Sequence, residues 1–103
     1  MKARIEFPSD QIADFCRRWK ITEFGLFGSI LRDDFRPESD IDVLVTFALD
    51  ARWSLFDLVE MESELSRLLN HEVDLVEREA VARSPNYIRR KNILQSAQVI
   101  YAA

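Results

Sequence analysis

A chain of 103 residues, 48% hydrophobic and 31% charged, has the length of one domain and the composition of a globular protein with one core. No apolar run approaches the ~18 residues of a membrane span, and the N-terminus lacks an apolar targeting stretch, so membrane integration is excluded and secretion disfavoured. A net charge of −4 suits a general nucleic-acid binder poorly, and the single cysteine, Cys16, can make neither an internal disulfide nor a zinc site, which points to a reducing cytoplasm.

Residues 9–20 read as a helix. Ser9 is its expected N-cap, Asp10 lies in its first turn, and Ile12, Phe15, Cys16 and Trp19 repeat at the spacing of one apolar stripe. Cys16 on that stripe is expected to be a small core residue. Residues 21–27 read as a strand. Residues 28–39 form a charged turn or short helix closed by Pro37. Residues 40–47 are the clearest strand, alternating and rich in β-branched side chains.

Ser54 then caps a helix to about Asn70, with Asp57 completing a capping-box variant. Leu55, Leu58, Val59, Glu62 and Leu65 are expected along one face, joined by Met61, Leu68 and Leu69. A third strand covers about 72–77, a last helix about 85–95, and Val99–Tyr101 forms a short fourth strand. His71 falls in the turn before the third strand and Trp53 before the helix cap. Strands alternating with helices predict a single α/β (α+β) domain over 1–103, a small sheet flanked by helices. The direction of strand two relative to strand one stays open, since a dozen residues suit either a long turn or a crossover.

Charge is unevenly divided. All eighteen acids lie in residues 1–79 beside ten Lys and Arg, a net −8. Residues 80–103 carry Arg83, Arg89, Arg90, Lys91 and no acid, a net +4. The basic piece is either a partner-docking surface or a solvated helix face with basic residues near its end.

Three carboxylates carry the chemistry. Asp40 and Asp42 alternate onto one face of the clearest strand, ~6.7 Å apart along the backbone, while Ile41, Val43 and Val45 face the core. Asp74 stands in the third strand, within Val73-Asp74-Leu75-Val76. Neighbouring strands would bring the three together, and such a cluster needs cations. Oxygen-only ligands suit Mg²⁺, and two such ions serve in-line displacement at phosphorus. The only two glycines, Gly25 and Gly28, flank the end of the first strand. Gly28 permits close backbone approach to a phosphate, Ser29 adds a hydroxyl and an N–H, and Arg32 adds charge. Walker and dinucleotide-binding glycine spacings are absent.

Gly28-Ser29, ten residues, then Asp40-Ile41-Asp42 resembles the signature of the DNA polymerase β-like nucleotidyltransferase superfamily. Leu26-Phe27-Gly28-Ser29-Ile30-Leu31-Arg32 and Ser39-Asp40-Ile41-Asp42-Val43-Leu44-Val45 resemble, more narrowly, the minimal nucleotidyltransferases. Ile88-Arg89-Arg90-Lys91-Asn92-Ile93-Leu94 and Val99-Ile100-Tyr101 extend the likeness along the chain. Leu31 and Asp33 stand where many members carry a small residue and a glycine.

The resemblance implies a mixed sheet, with Asp40 and Asp42 holding two Mg²⁺ ions. Asp74 would hold the catalytic one and help deprotonate the attacking hydroxyl. Gly28, Ser29 and Arg32 would bind the phosphates of ATP. It further implies an antitoxin that transfers AMP to a hydroxyl, a tyrosine, of a HEPN-domain ribonuclease toxin. Neutralisation by binding and occlusion is the alternative. The short chain leaves little room for an acceptor domain, so the acceptor surface is expected from a partner protein.

Overall fold

The computed structural model describes residues 8–28 and 40–103. The chain runs α1 (Ser9–Arg18), β1 (Ile21–Phe27), β2 (Ile41–Phe47), α2 (Leu55–Leu69), β3 (Val73–Glu77), α3 (Arg78–Ala82), α4 (Tyr87–Ser96) and β4 (Gln98–Ala102). The strands make one mixed sheet in the order β3-β2-β1-β4. The β1–β2 and β1–β4 pairs are antiparallel and the β2–β3 pair is parallel, with α2 as its crossover. The direction that the sequence leaves open is therefore antiparallel.

The sheet has helices on both faces. On one, α1 contributes Ile12, Phe15 and Cys16 and α2 contributes Met61, Leu65 and Leu69. They close over Phe24, Leu26, Ile41, Val43 and Val45. Phe15 meets Phe24 edge to face at 6.5 Å. A register shift between Ile21 and Glu23 lets Ile21 and Phe24, three apart, enter this same core. On the opposite face Val81 of α3 and Ile93 of α4 pack on Phe27 and Leu44, beside Val76.

The local structure differs from the sequence reading in four places. Helix α1 begins one residue earlier than expected: Ile12 N–H donates to the Pro8 carbonyl at 2.9 Å, so Pro8 is the N-cap and Ser9 is already helical. Ser54 does cap α2, and the reciprocal box with Asp57 is complete. The buried stripe of α2 is turned, however: Met61, Leu65 and Leu69 face inward, while Leu55 is 76%, Phe56 87% and Val59 58% exposed. Leu58 of the first turn packs against the core, so the apolar residues at this end of α2 divide between core and solvent. Helix α3 goes unread because five residues with one buried side chain carry no periodicity. Helix α4 starts at Tyr87 under an Asn86 cap, which places Arg89, Arg90 and Lys91 near its beginning rather than its end.

His71 and Trp53 fall where expected. Trp53 Nε1 donates to the Trp19 carbonyl at 2.9 Å, and the two indoles pack edge to face. Arg18 bridges α1 to Glu64 of α2, and that guanidinium, helped by the Trp19 N–H, holds the Glu64 carboxyl below its ordinary range.

Cys16 is fully buried, and burial pushes its thiol up to about 12. Iodoacetamide at pH 8 is expected to leave the native thiol unmodified while labelling the chain fully in denaturant; equal labelling rates would contradict the burial. A folded-state pKa above the unfolded value of ~8.5 stabilises the fold below that pH, and this contribution fades as pH rises toward 12.

Candidate active site

The site is set by three backbone placements. Asp42 lies on β2 between Phe27 of β1 and Asp74 of β3, paired in register with both. Side chains of in-register residues on adjacent strands project to the same face, ~4.8 Å apart at the backbone. Asp42 and Asp74 therefore stand side by side on the face that carries α3 and α4. The alternation that buries Ile41 and Val43 turns Asp42 out of the α1–α2 core; Val73 and Leu75 do the same for Asp74.

Gly28 follows β1 directly and supplies the third placement. Its φ is +76°, a conformation that costs an ordinary L-residue ~1–2 kcal/mol. A Cβ there would collide with the Asp42 carboxylate and lie 3.2 Å from its Cγ. The missing side chain is the space that the carboxylate occupies. One glycine thus serves both the turn and the approach to Asp42.

A cavity of about 550 Å³ opens over this point, lined by Phe27, Asp42, Asp74, Asn86, Ile88, Arg89, Asn92 and Ile93. Its size lies in the range of ligand pockets, and five of its eight lining residues are polar or charged, which suits a polar ligand of nucleotide size. A second cavity of about 420 Å³ lies at the other end of β2, around Phe47, Arg52, Trp53 and Glu77, away from the paired acids.

The structure brings together Asp42, Asp74 and Gly28 of the residues singled out in the sequence. Asp40 is exposed and sits one residue before β2, where Ile41 N–H donates to the Glu72 carbonyl and begins the parallel ladder. It does not line the cavity. Ser29, Arg32 and the expected turn or short helix over 29–39 lie outside the described residues. Sequence reasoning missed Asn86, Arg89 and Asn92 as residues of this site. Their signals were the acid-free basic segment and the likeness over residues 88–94, neither of which has a fixed place until α4 is folded against the sheet.

An in-register pair of carboxylates beside a bare glycine turn, on antiparallel β1 and β2 with a parallel third strand, defines a class. The nucleotidyltransferase-domain family matches residues 9–100, and the chain belongs to it. The likeness that Gly28-Ser29 and Asp40-Ile41-Asp42 display is thereby borne out.

The resemblance extends to particular proteins. Protein adenylyltransferase MntA of Thermococcus cleftensis is 41% identical over 59 residues, 57% of this chain and 58% of that protein. The chain thus spans under two thirds of the length of this curated relative. Among solved structures, a toxin–antitoxin complex with AMP-PNP superposes with a TM-score of 0.71 at 22% identity, covering 94% of this chain and 75% of that one. The complex of tri-AMPylated Shewanella oneidensis HEPN toxin with MNT antitoxin gives 0.61 at 23%, covering 91% and 69%. At those identities the two structures establish the shared fold: a mixed sheet flanked by helices.

The family implies Mg²⁺, and the donor set fits it. The acids are oxygen donors, and Gly28 places no side chain between them and an incoming phosphate. Among the described residues no three His, Cys, Asp or Glu side chains are gathered so as to hold an ion alone. Mg²⁺ does not require that, since it binds through one or two carboxylates and completes its shell with waters and substrate phosphates.

Proposed function

We propose that this chain is an antitoxin-type protein adenylyltransferase. It transfers AMP from ATP to a hydroxyl, a tyrosine, of a partner HEPN ribonuclease toxin in the cytoplasm. The observation that carries the reading is the registered Asp42–Asp74 pair against the Gly28 turn. The name of the Thermococcus relative and the AMPylated toxin in the Shewanella complex support the acceptor class. No helix of the described residues is long and apolar enough to cross a membrane.

In this mechanism Asp40, Asp42 and Asp74 are the residues that would hold two Mg²⁺ ions. When bound, the ions would neutralise charge on the triphosphate. Asp74 accepts the proton as the acceptor oxygen attacks the α-phosphorus. The new P–O bond forms in line with the breaking bond to the β-phosphate oxygen, and pyrophosphate leaves. Gly28 leaves backbone room for the β- and γ-phosphates, joined by Ser29 and Arg32.

Incubation of the purified pair with ATP and Mg²⁺ should add the mass of one nucleotide residue to the toxin for each AMP transferred, read by intact-mass spectrometry. Absence of any added mass at saturating ATP sinks the enzyme reading.

Occlusion is the second reading, favoured by the apolar side chains that α2 leaves in solvent at Leu55, Phe56 and Val59. A variant with Asp40, Asp42 and Asp74 all replaced by Asn distinguishes the two. Continued rescue from the toxin supports occlusion; lost rescue with an intact complex supports transfer.

A further inference from the structure

The wall of the cavity opposite Asp42 and Asp74 is the first part of α4. We infer that Arg89 binds a phosphate of the nucleotide in that cavity, an inference that rests on the nucleotidyltransferase reading.

Three observations carry it. Arg89 lines the same cavity as the paired acids. Its backbone N–H is already taken by the Asn86 cap at 3.0 Å, yet its guanidinium makes no ion pair or hydrogen bond among the described residues. Neighbouring Arg90, by contrast, is occupied: it donates to the Ser84 carbonyl at 3.0 Å and lies over the Tyr87 ring.

The second observation is the charge order of the helices. Helix α1 has Asp10 in its first turn and Arg17 and Arg18 in its last. Helix α2 has Asp57 first and Arg67 last. Both follow the helix dipole, which favours acids at the N-terminus and bases at the C-terminus. Helix α4 has no acid in its first turn and no base in its last, and it sets Arg89, Arg90 and Lys91 near its start. The rule that α1 and α2 keep is broken at α4, beside the paired acids, the kind of place where function overrides local preference.

The third is chemical. Two carboxylates and a triphosphate are all negative, and a guanidinium on the facing wall supplies the positive charge that the acids cannot. Its planar fork matches two phosphate oxygens at once, which an ammonium does not.

The test is titration of a non-hydrolysable ATP analogue with Mg²⁺ against wild type, Arg89→Gln and Lys91→Gln. Arg89→Gln should weaken binding about ten- to hundredfold with an unchanged or slightly raised Tm. Lys91→Gln removes the same charge outside the cavity and should bind like wild type. Adenosine, which lacks phosphates, should bind wild type and Arg89→Gln alike. Equal analogue affinity in Arg89→Gln overturns the inference, including the case where only transfer to the acceptor falls, which would assign Arg89 to the acceptor. An equal loss for adenosine overturns the phosphate assignment. If wild type binds no analogue, the nucleotidyltransferase reading fails first and the inference with it.

Discussion

Replacing Asp42 with Asn should reduce AMP transfer by roughly 10²–10³-fold or more while leaving the fold in place. Asp42 is the only described carboxylate with a backbone neighbour at the site on each side, Phe27 and Asp74. Asn keeps its shape and volume but halves the negative charge of the registered pair. A cation held as proposed would then lose much of its attraction, and with it the neutralisation of the triphosphate. Because the side chain is only partly buried and the substitution nearly isosteric, stability should move by ~0.5 kcal/mol or less, a few degrees in Tm. Transfer at the wild-type rate by a folded Asp42→Asn protein would remove Asp42 from the catalytic set. A protein that no longer melts cooperatively would instead make Asp42 structural.

Gly28→Ala combines two penalties at one atom. The left-handed φ of +76° disfavours any L-residue, and the new methyl meets the Asp42 carboxylate. Strain alone accounts for about 1–2 kcal/mol, a Tm fall of roughly 4–16 °C in a domain of this size. The carboxylate must swing aside to relieve the contact, and a displacement near 1 Å at a reacting centre costs ~10²-fold in rate. Transfer should therefore fall by at least that factor even below the melting transition. Differential scanning fluorimetry and the mass assay together check both halves. Wild-type values in both would show that Gly28 does not pack on Asp42.

The strands were more legible in the sequence than the helices. Each has a short alternating or β-branched run, and each was readable nearly to its observed ends. Asp42 and Asp74 stood out as partners because both interrupt apolar strands, where a carboxylate must be solvated, paired or holding a cation. Helix phase was harder. Leu55 and Val59 fit the apolar stripe of α2 as well as Met61 does, and only tertiary packing decides which side is covered. Pro8 displaced Ser9 as cap because the chain turns into α1 one residue earlier. Helix α3 was too short to show a period. Arg89 and Asn92 were out of reach for a different reason: their role depends on a tertiary approach to residues far back in the chain. Local pattern does not encode such approaches.

The strand order also bears on how the domain is made. Gly25 of β1 pairs with Val99 of β4, although most of the chain lies between them. That closure carries the largest loop entropy in the sheet, whereas the β1–β2 and β2–α2–β3 pairings close much shorter loops. The carboxylates belong to the short-range unit, and the cavity wall formed by α4 is tethered directly to β4. By loop length alone, pairing of the acids costs less chain entropy than docking of β4 and the wall that carries Arg89. Gly25 permits that close pairing: a Cβ there would lie only 3.1 Å from the Gln98 carbonyl oxygen. A nucleotide bound as proposed, between the acids and α4, would favour the closed ladder by mass action and so stabilise the fold.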